Sequence, residues 1–485
     1  MTNNPFENLV HLAEKHPDQI ALVEPVDHAL SLPRQWTYQD LVFETRGKIQ
    51  SLKTLELEPQ SRVGVLIRPE LEFYSLTMAC FALGLTPVFF DPKTASLPTD
   101  VHASQADFNL VSNSFFEPHW WKLLSFSRLF TFKSNLPFIR KLNGHRKGET
   151  AAHGYYSYNA KDTVCAFVKT ADHTIEIDYE SYKAQVNLFS TTLRPQNTEL
   201  IFSPLLALLS LRQGTTCVLA RTSEDRALEG LGIRQIKGTA KEVISLGKNL
   251  LQNRKALSSL KMIMIEGQKL SQNEARQIED LFPHADLFHC FGLSEVEPIA
   301  MISVTDIHKA PAVGHVVGNA ISTVQIEIVP TQMDLSKKNV SDFRTQEGEV
   351  VLTAPHLSFH KGHFAAFQDS ENQSWIRTGI LGYFGPDRNL YLIGHLEQQI
   401  QIGNRHYPLD LIEQQFETIP GVQKASLKKD AAKAHLFVTM SPEVEDAEAV
   451  SAVIEKYGID FKLANLQIHA KKAKLAESHE LPSIK

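Results

Sequence analysis

The chain has 485 residues, of which 43% are hydrophobic and 21% charged, with a net charge of −6. That length exceeds what a single hydrophobic core serves, so about two to four structural units are expected. The acidic balance argues against a nucleic-acid binder, whose domains are normally basic.

The first residues, MTNNPFENLVHLAEKHPDQ, contain neither a basic n-region nor an apolar h-region and do not read as a signal peptide. Cys80, Cys165, Cys217 and Cys290 each lie in an apolar run, with no C-x-x-C pair. That is the pattern of buried, reduced thiols in a cytoplasmic protein. Residues 4–15 predict a helix and 20–23 a strand, and Trp36-Thr37-Tyr38 opens a helix with apolar Leu41, Val42 and Ile49. A strand at 62–67, a helix from 70 to about 83 and a strand at 87–90 follow. Residues 73–90, FYSLTMACFALGLTPVFF, carry no charge and reach the length of a short membrane span. Gly84 and Pro87 break that run, and its tail reads as a strand, so it predicts a buried helix followed by a buried strand. Strands alternating with helices imply a parallel sheet covered on both faces.

Residues 118–147 differ in composition. Lys122, Arg128, Lys133, Arg140, Lys141, Arg146 and Lys147 stand among Trp120, Trp121 and several phenylalanines, with no acid. Such a stretch fits peripheral contact with an anionic membrane or a partner. It equally fits an inserted helix pair with a solvated basic face.

The alternation resumes with strands at 163–170, 215–220 and 261–265, helices at 179–193 and 271–281, and an apolar run at 199–209. After about residue 305 the texture is β, at 324–329, 349–353, 374–376 and 390–393, with a polar loop at 329–347. Residues 394–405 read as a hinge into a small unit with helices at 409–418 and 446–457 and strands at 424–427 and 435–439. The expected fold class is therefore α/β: a large domain at 1–394 with a β-rich subdomain, and a small mobile α+β domain at 395–485. No metal-ligand spacing occurs among the 20 histidines, and His360 and His363 in FHKGHF come nearest.

The most informative stretch is Phe291-Gly292-Leu293-Ser294-Glu295, after the apolar run 285–290. A flat ring can stack on a base, and Gly292 lets the backbone approach a ligand. Ser294 can donate to a phosphate, and Glu295 can ligate Mg2+ through oxygen. The plainer alternative is a strand-to-helix turn with Ser294 as cap and Glu295 as a first-turn acid.

In order along the chain, SRVGVLIRPELEFYSLTMACFALGLTPVFFDP, SLKMIMIEGQKLSQNEARQIEDLFP, FGLSE, GHVVGNA, GEVVLTAP, WIRTGILGYFGPDRNLYLIGH and GNRHYPLDLIEQQFETIPGVQKASL follow one another. This order resembles the adenylate-forming superfamily of acyl-CoA synthetases, adenylation domains and luciferases, from about residue 5 to 428. FGLSE is similar to the family's Tyr-Gly-x-Thr-Glu. SLTMACFALGLTPVFFDP and FGLSEVEPIAMI look most like long-chain fatty-acid ligases, especially the β-lactone synthetases of olefin synthesis, and the hinge is closer to fatty-acyl-AMP ligases. The resemblance implies an ATP-dependent ligase in which a long-chain or β-hydroxy fatty acid attacks the α-phosphate of ATP, giving acyl-AMP and pyrophosphate. It implies Phe291 stacking on adenine, Gly267 lining the adenine pocket, and Gly292 and Thr378 as further cofactor-binding positions. Ser294 would contact the α-phosphate, Glu295 would hold Mg2+, and Lys485, in Pro482-Ser483-Ile484-Lys485, would be the C-terminal catalytic lysine. Coenzyme A, a carrier protein or a partner enzyme would complete the reaction.

The sequence departs from the family pattern at its nucleotide positions. Where the family has a glycine-rich phosphate loop, this chain reads KTADHTIEIDYESYKAQV, and no glycine occurs between Gly154 and Gly214. Bare backbone N–H groups surround phosphate oxygens in such a loop, whereas Asp172, Glu176 and Asp178 are expected to repel the anion. Ile380 stands where the family has the ribose-binding aspartate, His395 where it has arginine, and Gln401 where it has the hinge lysine. Two functions follow: an adenylate-forming ligase, or a non-catalytic homologue that binds an acyl chain or a partner ligase.

Overall fold

The computed structural model describes residues 4–24, 33–66, 69–90, 108–111, 164–169, 174–192, 197–220, 228–267, 269–293, 296–309, 313–331, 346–357, 364–402, 405–429, 434–441, 444, 446–460 and 466–472. The Pro118–Lys147 stretch, the His360/His363 pair, Asp172, Ser294, Glu295 and Lys485 lie outside the described residues.

A mixed α/β architecture is built on two large sheets. In the 5-stranded sheet, Arg62–Leu66, Thr86–Phe90 and Val164–Lys169 run parallel, and Thr174–Asp178 closes one edge antiparallel. In the 14-stranded sheet, the strands Thr198–Ile201, Thr216–Leu219, Gln235–Thr239, Met262–Gly267 and Asp286–Leu293 pair in parallel. Beyond Asp286–Leu293 the sheet turns antiparallel, through Val296–Ser303 and His315–Ala320 to Leu390–His395, Ser374–Phe384, Glu347–Thr353 and Gln325–Val329. The parallel-to-antiparallel change therefore falls at Leu293–Val296, and ligands of open α/β sheets bind beyond strand carboxyl ends where the topology changes.

The helix Leu71–Leu83 shows why the uncharged run is not a membrane span. Almost every one of its side chains is buried, because it packs in the first core on Phe6, Leu9, Tyr38, Leu41 and Tyr182. Buried helices of this kind are apolar all round. Gly84 ends it in the left-handed conformation, and Leu85 N–H donates back to Cys80. Among the described residues no helix is long and apolar enough to cross a membrane. Cys80, Cys217 and Cys290 are buried free thiols, and burial pushes Cys80 and Cys217 up to about 12. The Cys165 side chain lies outside the described residues.

A separate apolar core forms at the C-terminal end. The helix Leu409–Glu417 buries Ile412 and Phe416 against the strands Val422–Lys429 and Ala434–Met440, and the helix Ala447–Asp460 adds Ile454.

Candidate functional site

Two of the expected nucleotide residues are brought side by side by strand register. Gly267 pairs with Phe291 where Met262–Gly267 and Asp286–Leu293 run parallel. Gly267 has φ +135°, and a Cβ built there meets nothing within 4 Å. That backbone is reserved for glycine and is open to a close ligand. The strand-to-helix turn is corrected. Asp286–Leu293 carries Phe291, Gly292 and Leu293, and Val296–Ser303 returns antiparallel with Leu293 opposite Val296. The β-branched and apolar residues of VEPIAMIS favour a strand there, and Ser294 therefore precedes no helix.

Phe291 is 1% exposed and belongs to a core with Leu188, Ile299, Val317 and Ile380. Thr378 is also in the interior. Its hydroxyl donates to Val350 O at 2.7 Å and accepts from Ile380 N–H at 3.1 Å, fixing the strand Ser374–Phe384. Ile380, at 3% exposed, is an apolar side chain that offers no acceptor. The backbone at Gly267 is thus open, while Phe291 is packed into the core and Ile380 supplies no carboxylate. Among the described residues no group of three or more His, Cys, Asp or Glu could hold a metal ion.

Asp178 is engaged at a helix start. Its carboxylate faces the start of the helix Tyr179–Thr192, accepting from Ser181 N–H at 2.8 Å and from Ser181 Oγ at 2.7 Å. An aspartate there satisfies free amide donors at the helix start.

A cavity of about 210 Å³ lies next to these strands. Phe81, Phe89, Leu205, Leu206, Leu208 and Leu209 give it an apolar wall, and Ser181, Gln185, Glu297 and His356 contribute polar groups. Glu297 joins the cavity to the motif: a Cβ on Gly292 would stand 2.6 Å from Glu297 Cγ. Gly292 is therefore needed for the close passage of this glutamate. Gln185 Nε2 donates to Glu297 O at 3.0 Å, and His356 Nε2 donates to Pro298 O at 2.9 Å. Burial lowers His356 and leaves its ring neutral.

Sequence reasoning missed the acid and base groups behind this wall. Burial pushes Glu297 up to about 7. Burial also raises Glu266 well above the usual carboxylate range, Glu297 adds to that rise, and Lys237 opposes it. Lys237 Nζ donates to Glu199 Oε2 at 2.7 Å and to Ser210 Oγ at 3.0 Å, with both ionic side chains almost fully buried. The signal was present as single charges inside apolar runs: Glu199 in TELIF, Lys237 in IKGT and Glu297 in VEPIAMI.

Residues 181–358 match the family model described as AMP-binding enzyme, and over those residues the chain carries an AMP-binding enzyme family domain. A 4-coumarate--CoA ligase-like protein of Oryza sativa subsp. japonica is 27% identical over 242 residues, covering 49% of this chain and 40% of that protein. A second such rice protein is covered to 36% of its length, so the matched stretch spans less than half of either relative. Among solved structures, the O-succinylbenzoate coenzyme A synthetase of Bacillus subtilis aligns with a TM-score of 0.71 at 16% identity, covering 96% of this chain and 99% of that one. A fatty acyl CoA synthetase of Mycobacterium tuberculosis aligns at 0.67 and 14%, covering 96% and 94%. At such identities the likeness establishes the fold.

Proposed function

We propose that this protein binds a carboxylic acid in the cavity and activates it with ATP as an acyl adenylate. A carboxylate oxygen bonds to the α-phosphorus of ATP, and the bond to the pyrophosphate oxygen breaks. The observation that carries this reading is the cavity's position, against the Gly267–Phe291–Gly292 corner with Glu297 as the shared wall. Much of its lining falls within the family domain. At about 210 Å³ the cavity takes a compact acyl or aryl group, and a long-chain or β-hydroxy fatty acid would have to extend past the described residues. ATP and Mg2+ as co-substrates, Ser294, Glu295 and Lys485 as catalytic groups, and coenzyme A or a carrier protein as acceptor belong to this proposal.

A second reading, an acid-binding homologue that forms no adenylate, is favoured by the burial of Phe291 and Ile380. Calorimetric titration of ATP–Mg2+ into the protein, with and without a carboxylic acid, separates the two. Binding in the micromolar to millimolar range supports activation, at about −8 to −4 kcal/mol. Heat from the acid alone, with none from ATP, supports the second reading.

A further inference from the structure

The three-stranded sheet at the C-terminal end separates its charge from that of its helices. Its strands Val422–Lys429, Ala434–Met440 and Leu466–Lys472 carry five lysines and two histidines without a single acid. The helix Leu409–Glu417, which packs on one face of that sheet, carries three acids and no base. The net charge of −6 therefore conceals a local basic surface, and the footprint that a nucleic acid needs is local.

Strand alternation turns Ala425, Leu427, Leu436 and Val438 toward the helix and leaves the other face outward. Lys424, Lys428 and Lys471 are exposed there, and at the centre Phe437 is 42% exposed. Register sets His469 beside Phe437, with ring centres 4.7 Å apart and planes 14° from parallel, and His435 lies 5.6 Å from His469. Lys428 Nζ rests 5.7 Å from the centre of the Phe437 ring.

We propose that this face binds single-stranded RNA, an activity separate from acid activation. A base stacks on an exposed ring while neighbouring ammonium groups meet the backbone phosphates. Lys428 covers the ring that a base would take, and its flexible stem lets the ammonium move to the adjoining phosphate. Ser426, Thr439 and Gln467 share the face and offer hydroxyl and amide groups to the 2′-hydroxyl, which distinguishes RNA from DNA. Size argues against a protein partner. Three strands about 4.8 Å apart, of about seven residues at about 3.3 Å each, present roughly 300 Å², against about 800 Å² per partner in a stable protein complex. A single exposed phenylalanine gives little to insert into a membrane.

The test follows the fluorescence anisotropy of a labelled twelve-nucleotide oligouridylate titrated with the full chain. Micromolar binding is expected at about 50 mM KCl, with log K falling against log salt at a slope of about −2 for three phosphate contacts. Phe437→Ala should weaken binding about tenfold. Combining Lys424→Gln, Lys428→Gln and Lys471→Gln should flatten the salt slope. These side chains are all exposed, so thermal unfolding should stay unchanged in both variants. RNA binding that is unchanged in either variant overturns the proposal, as does no binding of the oligouridylate below about 1 mM. Oligothymidylate bound as tightly as the RNA, or phosphatidylserine vesicles bound in its place, overturns it too.

Discussion

Lys237 and Glu199 sit 2.7 Å apart at 3% and 0% exposure, with Ser210 bonded to both. Breaking a buried pair from one side leaves the other charge stranded. Lys237→Met is therefore expected to cost about 3–5 kcal/mol in urea unfolding, and adding Glu199→Leu to restore much of it. A loss under about 1 kcal/mol would show that the pair is solvated. Titration gives a second test at this scale. Glu297 holds its proton up to about 7 in the folded chain, against 4.5 ordinarily. The stabilisation it gives below pH 4.5 is thus lost as pH rises through 7. His289 and His315 run the opposite way: burial holds both at about 4 instead of 6.5, so their contribution is present above 6.5 and lost toward 4. Glu297→Gln removes the falling slope alone, and its stability should rise more steeply than the wild type's between pH 4.5 and 7. Parallel curves would contradict the assignment. Little of this was legible beforehand, because a charge inside an apolar strand reveals that it is buried but not which partner it meets across the sheet.

Helix starts carry much of what the sequence did reveal. Thr37 with Asp40, Thr239 with Glu242 and Ser271 with Glu274 each form a reciprocal capping box. The first and last open helices expected from the sequence, while Ala240–Gln252 was not anticipated despite its threonine–glutamate signature. Ser271→Ala should cost about 1 kcal/mol, read by thermal unfolding, and no change would mean that water caps the helix equally well. Thr174–Asp178 was also missed, since its acids stood out against an expected glycine loop. Alternation explains it afterwards: Ile175 is fully buried, and Asp178 turns to the next helix. The strand-to-helix alternative failed after Leu293 for a related reason. Five residues establish a strand end, but the direction of the following chain depends on pairing with Val296–Ser303, a non-local contact.

Across the whole chain, the helix Leu409–Glu417 is joined to the larger part by matched bonds. Gly314 N–H donates to Gln414 Oε1 and Gln414 Nε2 to Gly314 O, each at 2.8 Å, and Lys269 meets Asp410 at 3.1 Å. Gln414→Ala should raise amide exchange at Gly314 and in that helix while the strands Met262–Gly267 and Asp286–Leu293 stay protected. Uniform protection throughout would mean that the join rests on other contacts. The order of motifs foretold this α/β architecture well, because its packing segments keep their apolar periodicity. The measurement that bears most directly on acid activation is exchange of labelled pyrophosphate into ATP, with Mg2+ and a panel of compact carboxylic acids. The account predicts label in ATP only when an acid is present, because the acyl adenylate must form for pyrophosphate to return. No exchange with any acid that calorimetry finds bound would contradict it and leave a protein that holds acids without activating them.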